Sequence, residues 1–174
     1  MGRRRRAFAY ALGAALIAAP PCGFAAPATT HCHADESVVY SCTFGPKTAS
    51  VCATPGALVF RFGRLGASDP DVQVIGNGAG GPARWAVITG GGGGRQDSLR
   101  FSSAGRNYIV YSAAYGSLTT IPGRRESGVV VFRGYEVASM LACPVRGAQQ
   151  RISLPPSANG AVQEESDPEF QAWF

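Results

Sequence analysis

From residue 37 onward, apolar and polar residues alternate in short runs, each closed by glycine, proline or aspartate. A period of two puts successive side chains on opposite faces and predicts strands with one buried face. The runs place strands at Ser37–Cys42, Lys47–Cys52, Ala57–Phe62, Val72–Ile75, Arg84–Thr89, Leu99–Ser102, Asn107–Ala113, Gly128–Arg133 and Tyr135–Cys143. Leu58, Phe60 and Phe62 alternate with Val59 and Arg61, which predicts a greasy face inward and a wet face outward. In the last run Val137, Ser139, Leu141 and Cys143 share a face. Phe44-Gly45-Pro46-Lys47 and Gly134 read as tight turns, because glycine tolerates positive φ and proline presets its own. After residue 28, apolar residues nowhere recur with a helical period for three turns. The expected fold class is all-β: a small antiparallel meander, closed as a barrel or packed as a sandwich.

The first residues break this pattern. Arg3 to Arg6 precede an apolar run from Ala7 to Ala19, followed by Pro20 and Pro21, the layout of a cleaved signal peptide. A membrane helix needs roughly 20 apolar residues, so this run is too short to span. Cleavage can follow Ala25, with Gly23 and Ala25 as the small pair, or Ala28, with Ala26 and Ala28; the second is favoured and gives residues 1–28 as leader. Arg5-Arg6-Ala7-Phe8 leaves a twin-arginine route open beside ordinary secretion, and the prolines before Cys22 speak against lipid attachment. The expected domain is 29–154, with a Pro/Ser/Ala-rich, then acidic tail over 155–174 read as disordered. The expected location is periplasmic or extracellular.

Removing the leader changes the charge. The whole chain carries 16 Lys and Arg against 11 Asp and Glu, and losing four arginines brings the balance close to neutral. The remaining cations are scattered arginines with one lysine, Lys47, and no recognition motif accompanies them, so nucleic acid is not an expected partner. Beyond Cys22, four cysteines remain, Cys32, Cys42, Cys52 and Cys143; an even number in an oxidising compartment predicts two disulfides, with three pairings open. A zinc site at Cys32, His31 and His33 is the competing reading, although its spacing fits no standard finger.

Catalytic chemistry finds few residues. The two histidines, His31 and His33, sit at the start of the domain, so a Ser-His-Asp or Cys-His device is not expected. Asp69, Asp71, Asp97, Glu126 and Glu136 are the carboxylates a glycosidase could pair, each in turn-like or polar surroundings. Gly90–Gly94 lacks the Lys-Ser/Thr of a phosphate loop and reads as a flexible hairpin loop. If Thr29 becomes the first residue, its amine, two amides and the His31 imidazole could surround Cu(II) or Ni(II) in a square plane. No cofactor is expected, and the chain reads as a non-enzyme.

Tyr40-Ser41-Cys42, Ala104-Gly105-Arg106-Asn107-Tyr108, and Gly128-Val129-Val130-Val131-Phe132-Arg133 leading to Leu141-Ala142-Cys143 form one further constellation, over roughly residues 38–145. It resembles the membrane-bound and periplasmic inhibitors of C-type lysozyme. Those are small antiparallel β-barrels of the bacterial envelope with a Tyr-x-Cys start, a Ser-Gly-x-x-Tyr loop, a Lys-Gly loop and a closing cysteine. The resemblance implies a Cys42–Cys143 bond, beside which a Cys32–Cys52 bond is expected. It also implies that loops near Gly105 and Arg125 enter the lysozyme cleft, with Ser103, Gly105, Tyr108 and Arg125 as inhibitory-loop residues. A hydroxyl and a cation would then meet the two catalytic carboxylates in charge-assisted hydrogen bonds. Ala104 stands where that motif has serine, with Ser103 adjacent; Arg125 stands in place of lysine, and Glu126 in place of the following glycine. The expected function is an envelope binding module acting on a lysozyme or another envelope protein; the alternative is a structural envelope protein without enzymatic activity.

Overall fold

The computed structural model describes residues 29–77, 80–144, 150–158 and 160–174; the expected leader, residues 1–28 with Cys22, lies outside them. Ten strands follow one another: β1 (Ser37–Phe44), β2 (Lys47–Thr54), β3 (Ala57–Gly63), β4 (Val72–Ile75), β5 (Ala83–Gly90), β6 (Gly94–Ser103), β7 (Arg106–Ala114), β8 (Arg125–Arg133), β9 (Glu136–Ala142) and β10 (Val162–Glu164). Among the described residues, no helix is long and apolar enough to cross a membrane. All nine expected strands are present. β6 begins five residues before its expected start, because Gly90 pairs with Gly94 and draws the glycine run into the β5–β6 hairpin. That turn is packed, with the Gly92 carbonyl accepting the Ser117 N–H at 2.9 Å.

The strands form a sandwich of two meanders, β1-β2-β3-β4 and β10-β5-β6-β7-β8-β9. Among the described residues only the β10–β5 pair is parallel, since β10 returns from the far end of the chain. Leu58 and Phe60 of the smaller sheet meet Leu99, Phe101, Val110 and Val129 of the larger in one buried core. The Phe60 ring stacks on Phe101 at 5.7 Å and on Tyr108 at 5.4 Å. Cys42 bonds Cys143 and so ties β1 to the residue just past β9, one sheet to the other; Cys32 bonds Cys52, tying the initial segment to β2. By loop-closure entropy such bonds stabilise by ~3 to ~5 kcal/mol, the longer loop contributing more.

Both outer faces are partly covered, which corrects two expectations. Val59 and Arg61, expected to face water, are 5% and 6% exposed. The register sets Ser41, Ser50, Arg61 and Gln73 in one row across the outer face of the smaller sheet. The segment 29–36 lies over this row: Ser41 donates to the Thr29 carbonyl, the His31 N–H donates to Ser50 Oγ, and Arg61 reaches both Glu36 oxygens and the His31 carbonyl. A buried cation needs such partners, and the segment supplies them.

On the larger sheet the covering element is the tail. The described residues of the tail expected to be disordered over 155–174, namely 155–158 and 160–174, instead add β10 to the edge and fold back across the outer face of the sheet. Arg100 grips Glu165 at 2.6 and 2.8 Å and sits 4.4 Å over the Phe170 ring. Phe170 and Phe174 pack edge-on against Phe132, and the fully buried Gln96 donates to the Ala172 carbonyl while accepting the Phe174 N–H. Composition alone averages these anchors away: the acidic residues dilute a run whose aromatic rings match a waiting aromatic face.

The face shared by the last run is also revised. Phe132 pairs with Val137 and Val131 with Ser139, leaving Ala138 as a bulge. The extra residue turns Val137 to the outer face, where it is 56% exposed, while Ser139, Leu141 and Cys143 stay on the inner side.

Candidate functional site

The four residues singled out as an inhibitory surface do not form one. β7 pairs Arg106 with Arg133 at one end and Ala114 with Arg125 at the other. Eight steps along the strand separate these ends by roughly 26 Å at about 3.3 Å per residue. Gly105 lies in the β6–β7 turn beside Arg106, so the Gly105 and Arg125 loops, which the resemblance implies enter one cleft, occupy opposite ends of the sheet. Tyr108 is 8% exposed and belongs to the core. Ser103 and Gly105 remain together.

At the Gly105 end, strand register brings up residues that no motif marks. Ser103, Arg106, Arg133 and Glu136 stand in one row across β6, β7, β8 and β9. Arg106 and Arg133 are directly opposite one another and exposed, and neither has an ion-pair or hydrogen-bond partner among the described residues. Ala104 and Gly105 carry the row's tip on two consecutive positive φ angles, 49° and 72°, the backbone of a two-residue hairpin turn. The β8–β9 turn sits alongside: the Gly134 N–H donates to the Gly105 carbonyl at 3.3 Å, and Asn107 donates to the Gly134 carbonyl. Tyr135, 64% exposed, stacks on Phe170 at 5.6 Å. Two guanidinium groups, the Glu136 carboxylate and a hydroxyl therefore share this end of the sheet, with the Tyr135 ring in the adjoining turn. Only pairing register reveals Arg106 and Arg133 as neighbours, since 27 positions separate them in the chain.

At the Arg125 end, the inner face of the larger sheet extends beyond the apolar core. The row Leu99, Val110, Val129, Leu141 gives way to Asp97, Ser112, Ser127 and then to Arg95, Ala114, Arg125. A cavity of about 340 Å³ opens there, walled in part by Gln150 and Arg151. Arg95 grips Asp97 at 2.9 and 2.6 Å, and Glu126 is held by Arg124 at 2.6 Å and by the Tyr115 hydroxyl at 2.8 Å. The two candidate carboxylates that line this cavity, Asp97 and Glu126, are thus both committed to arginine.

The metal readings meet competing bonds. Cys32, Glu36 and Cys52 bring ligand atoms within 4.8 Å of one another, but the two sulfurs are bonded together and offer no thiolate. The His31 N–H, which a square-planar copper set would need deprotonated, donates to Ser50 Oγ, and the ring Nε2 meets the Gly63 carbonyl at 3.1 Å. Both histidines lie in the segment 29–36, and His31 reaches the last residue of β3, Gly63. Comparison with known proteins finds no matching family, no curated relative and no solved structure that resembles the chain.

Proposed function

We propose that the chain is an exported, non-enzymatic binding module of the periplasm or extracellular space that docks its Gly105 end onto a partner presenting adjacent carboxylates. C-type lysozyme is the partner that the sequence resemblance singles out. The observation carrying this reading is the facing pair Arg106 and Arg133 without partners. Like charges directly opposite on neighbouring strands oppose the pairing, and Glu136, opposite Arg133 in the same row, closes no ion pair with either guanidinium among the described residues. Two carboxylates from outside convert that repulsion into charge-assisted hydrogen bonds, and the Ser103 hydroxyl adds a third donor beside them. The Ala104-Gly105 turn closes the hairpin beside the row and is exposed, so a partner can reach it. Arg125, given this role by resemblance, passes it to Arg106 and Arg133.

The test is lysis of cell-wall substrate by C-type lysozyme in the presence of the oxidised protein. Inhibition is expected at modest molar excess, with Arg106→Ala and Arg133→Ala each weakening it about tenfold or more, as loss of a charged hydrogen bond implies. Arg125→Ala should leave it unchanged. Undiminished lysis at micromolar excess would retire lysozyme as the partner and leave the structural envelope reading in its place.

A further inference from the structure

We propose that the cavity at the Arg125 end binds a small hydroxylated organic acid of the uronic-acid class, separately from docking at the Gly105 end. The first reason is the chemistry of the floor. A sandwich interior is apolar, yet two of the four strands that build this end place hydroxyls on the inner face, at Ser112 and Ser127, and a third places the Asp97 carboxylate there. Polar groups on an inward face are costly unless something bonds them. Ser112 is accounted for, because its hydroxyl accepts the Ile152 N–H at 3.2 Å and so holds the wall formed by residues 150–152. Ser127 meets the buried Tyr40 phenol. Asp97, oriented by Arg95 and 20% exposed, keeps acceptor positions free, since a carboxylate offers about four and the arginine engages two.

The second reason is the charge at the mouth. Arg125 and Arg151 line the same cavity, both exposed and both without a partner among the described residues, whereas the carboxylates beside them are already paired. The mouth is thus cationic and the floor accepts hydrogen bonds. A ligand with one carboxylate and several hydroxyls fits both: the acid meets a guanidinium in a two-pronged bond, and ring hydroxyls donate to Asp97. A dianion such as sulfate satisfies the mouth but faces Asp97 as a like charge. The volume, about 340 Å³, stands at the lower end of small-ligand sites and suits one sugar-sized molecule.

The experiment is a calorimetric and NMR titration of the oxidised protein with sodium glucuronate, glucose and sodium sulfate at matched ionic strength. Saturable glucuronate binding is expected, about tenfold or more tighter than glucose or sulfate. Arg125→Ala and Arg151→Ala, both at exposed positions, should each weaken it about tenfold, and Asp97→Asn should weaken glucuronate while improving sulfate. Arg106→Ala should leave it unchanged, which separates this site from the docking end. Absence of saturable glucuronate binding up to tens of millimolar would overturn the proposal. So would equal affinity for sulfate, or equal loss in Arg106→Ala.

Discussion

Glu36 and Glu165 each set a nearly buried carboxylate against an arginine that a strand projects outward, Arg61 from β3 and Arg100 from β6. Hydrogen bonding from Arg61 holds the Glu36 carboxyl below its ordinary range against the pull of burial. Burial pushes Glu165 upward, but Arg100 and the Asp167 N–H together outweigh it and leave this carboxyl lowered as well. A carboxyl whose pKa is lower in the folded state adds stability that is complete above its unfolded value of 4.5, and that stability is lost as pH falls through the folded value. Urea midpoints should therefore hold from neutral pH to about 5 and decline below it. Glu36→Gln and Glu165→Gln should each flatten that decline and cost roughly 3 kcal/mol at neutral pH, because each leaves a buried arginine unpaired. An acid limb unchanged in both variants would assign it to other groups. The sequence does not distinguish Glu36 from Asp35, or Glu165 from Glu164: their partners lie 25 and 65 residues away. Arg106 and Arg133 escape notice for the same reason.

The strands themselves are legible because period two is a local property, and all nine read from it appear. What escapes is whatever depends on a neighbour. β6 extends through Arg95, Gln96 and Asp97, a polar stretch that looks like loop until the tail supplies main-chain partners for the buried Gln96. The bulge at Ala138 leaves no trace in composition, yet it reverses the face of Val137. The tail is the largest case, since its order comes from an aromatic match between Phe170 and Phe174 on one side and Tyr111 and Phe132 on the other. Phe170→Ala removes the ring that Phe132, Tyr135 and Arg100 all contact, and by the scale of buried phenylalanine truncations should cost ~3 kcal/mol. A hydrophobic dye should bind the variant, and tail amides should exchange faster while those of β2 and β3 stay protected. Unchanged dye binding and exchange would mean that β10 and the Arg100–Glu165 pair hold the tail without the ring.

Across the whole molecule the two disulfides do different work. Cys42–Cys143 closes a separation of 101 residues and joins the two sheets, whereas Cys32–Cys52 closes 20 and pins a covering segment. On loop entropy alone, the longer closure stabilises by about 1.4 kcal/mol more. Urea unfolding of Cys42→Ala/Cys143→Ala should therefore show a larger loss than Cys32→Ala/Cys52→Ala. Position makes the losses differ in kind as well. Cys143 lines the cavity at the Arg125 end, and Tyr40, which contacts its sulfur, also meets Ser127. The Gly105 turn lies at the far end of β7, stitched to the neighbouring β8–β9 turn by its own hydrogen bonds. Removing Cys42–Cys143 should thus abolish glucuronate binding while sparing the Gly105 end as long as the sandwich stays folded. Removing Cys32–Cys52 should spare both ends, since Arg61 and Glu36 still hold the segment 29–36 in place. If the first double variant keeps full glucuronate affinity, the cavity is shaped by the overhang of the larger sheet and not by the bond beneath it.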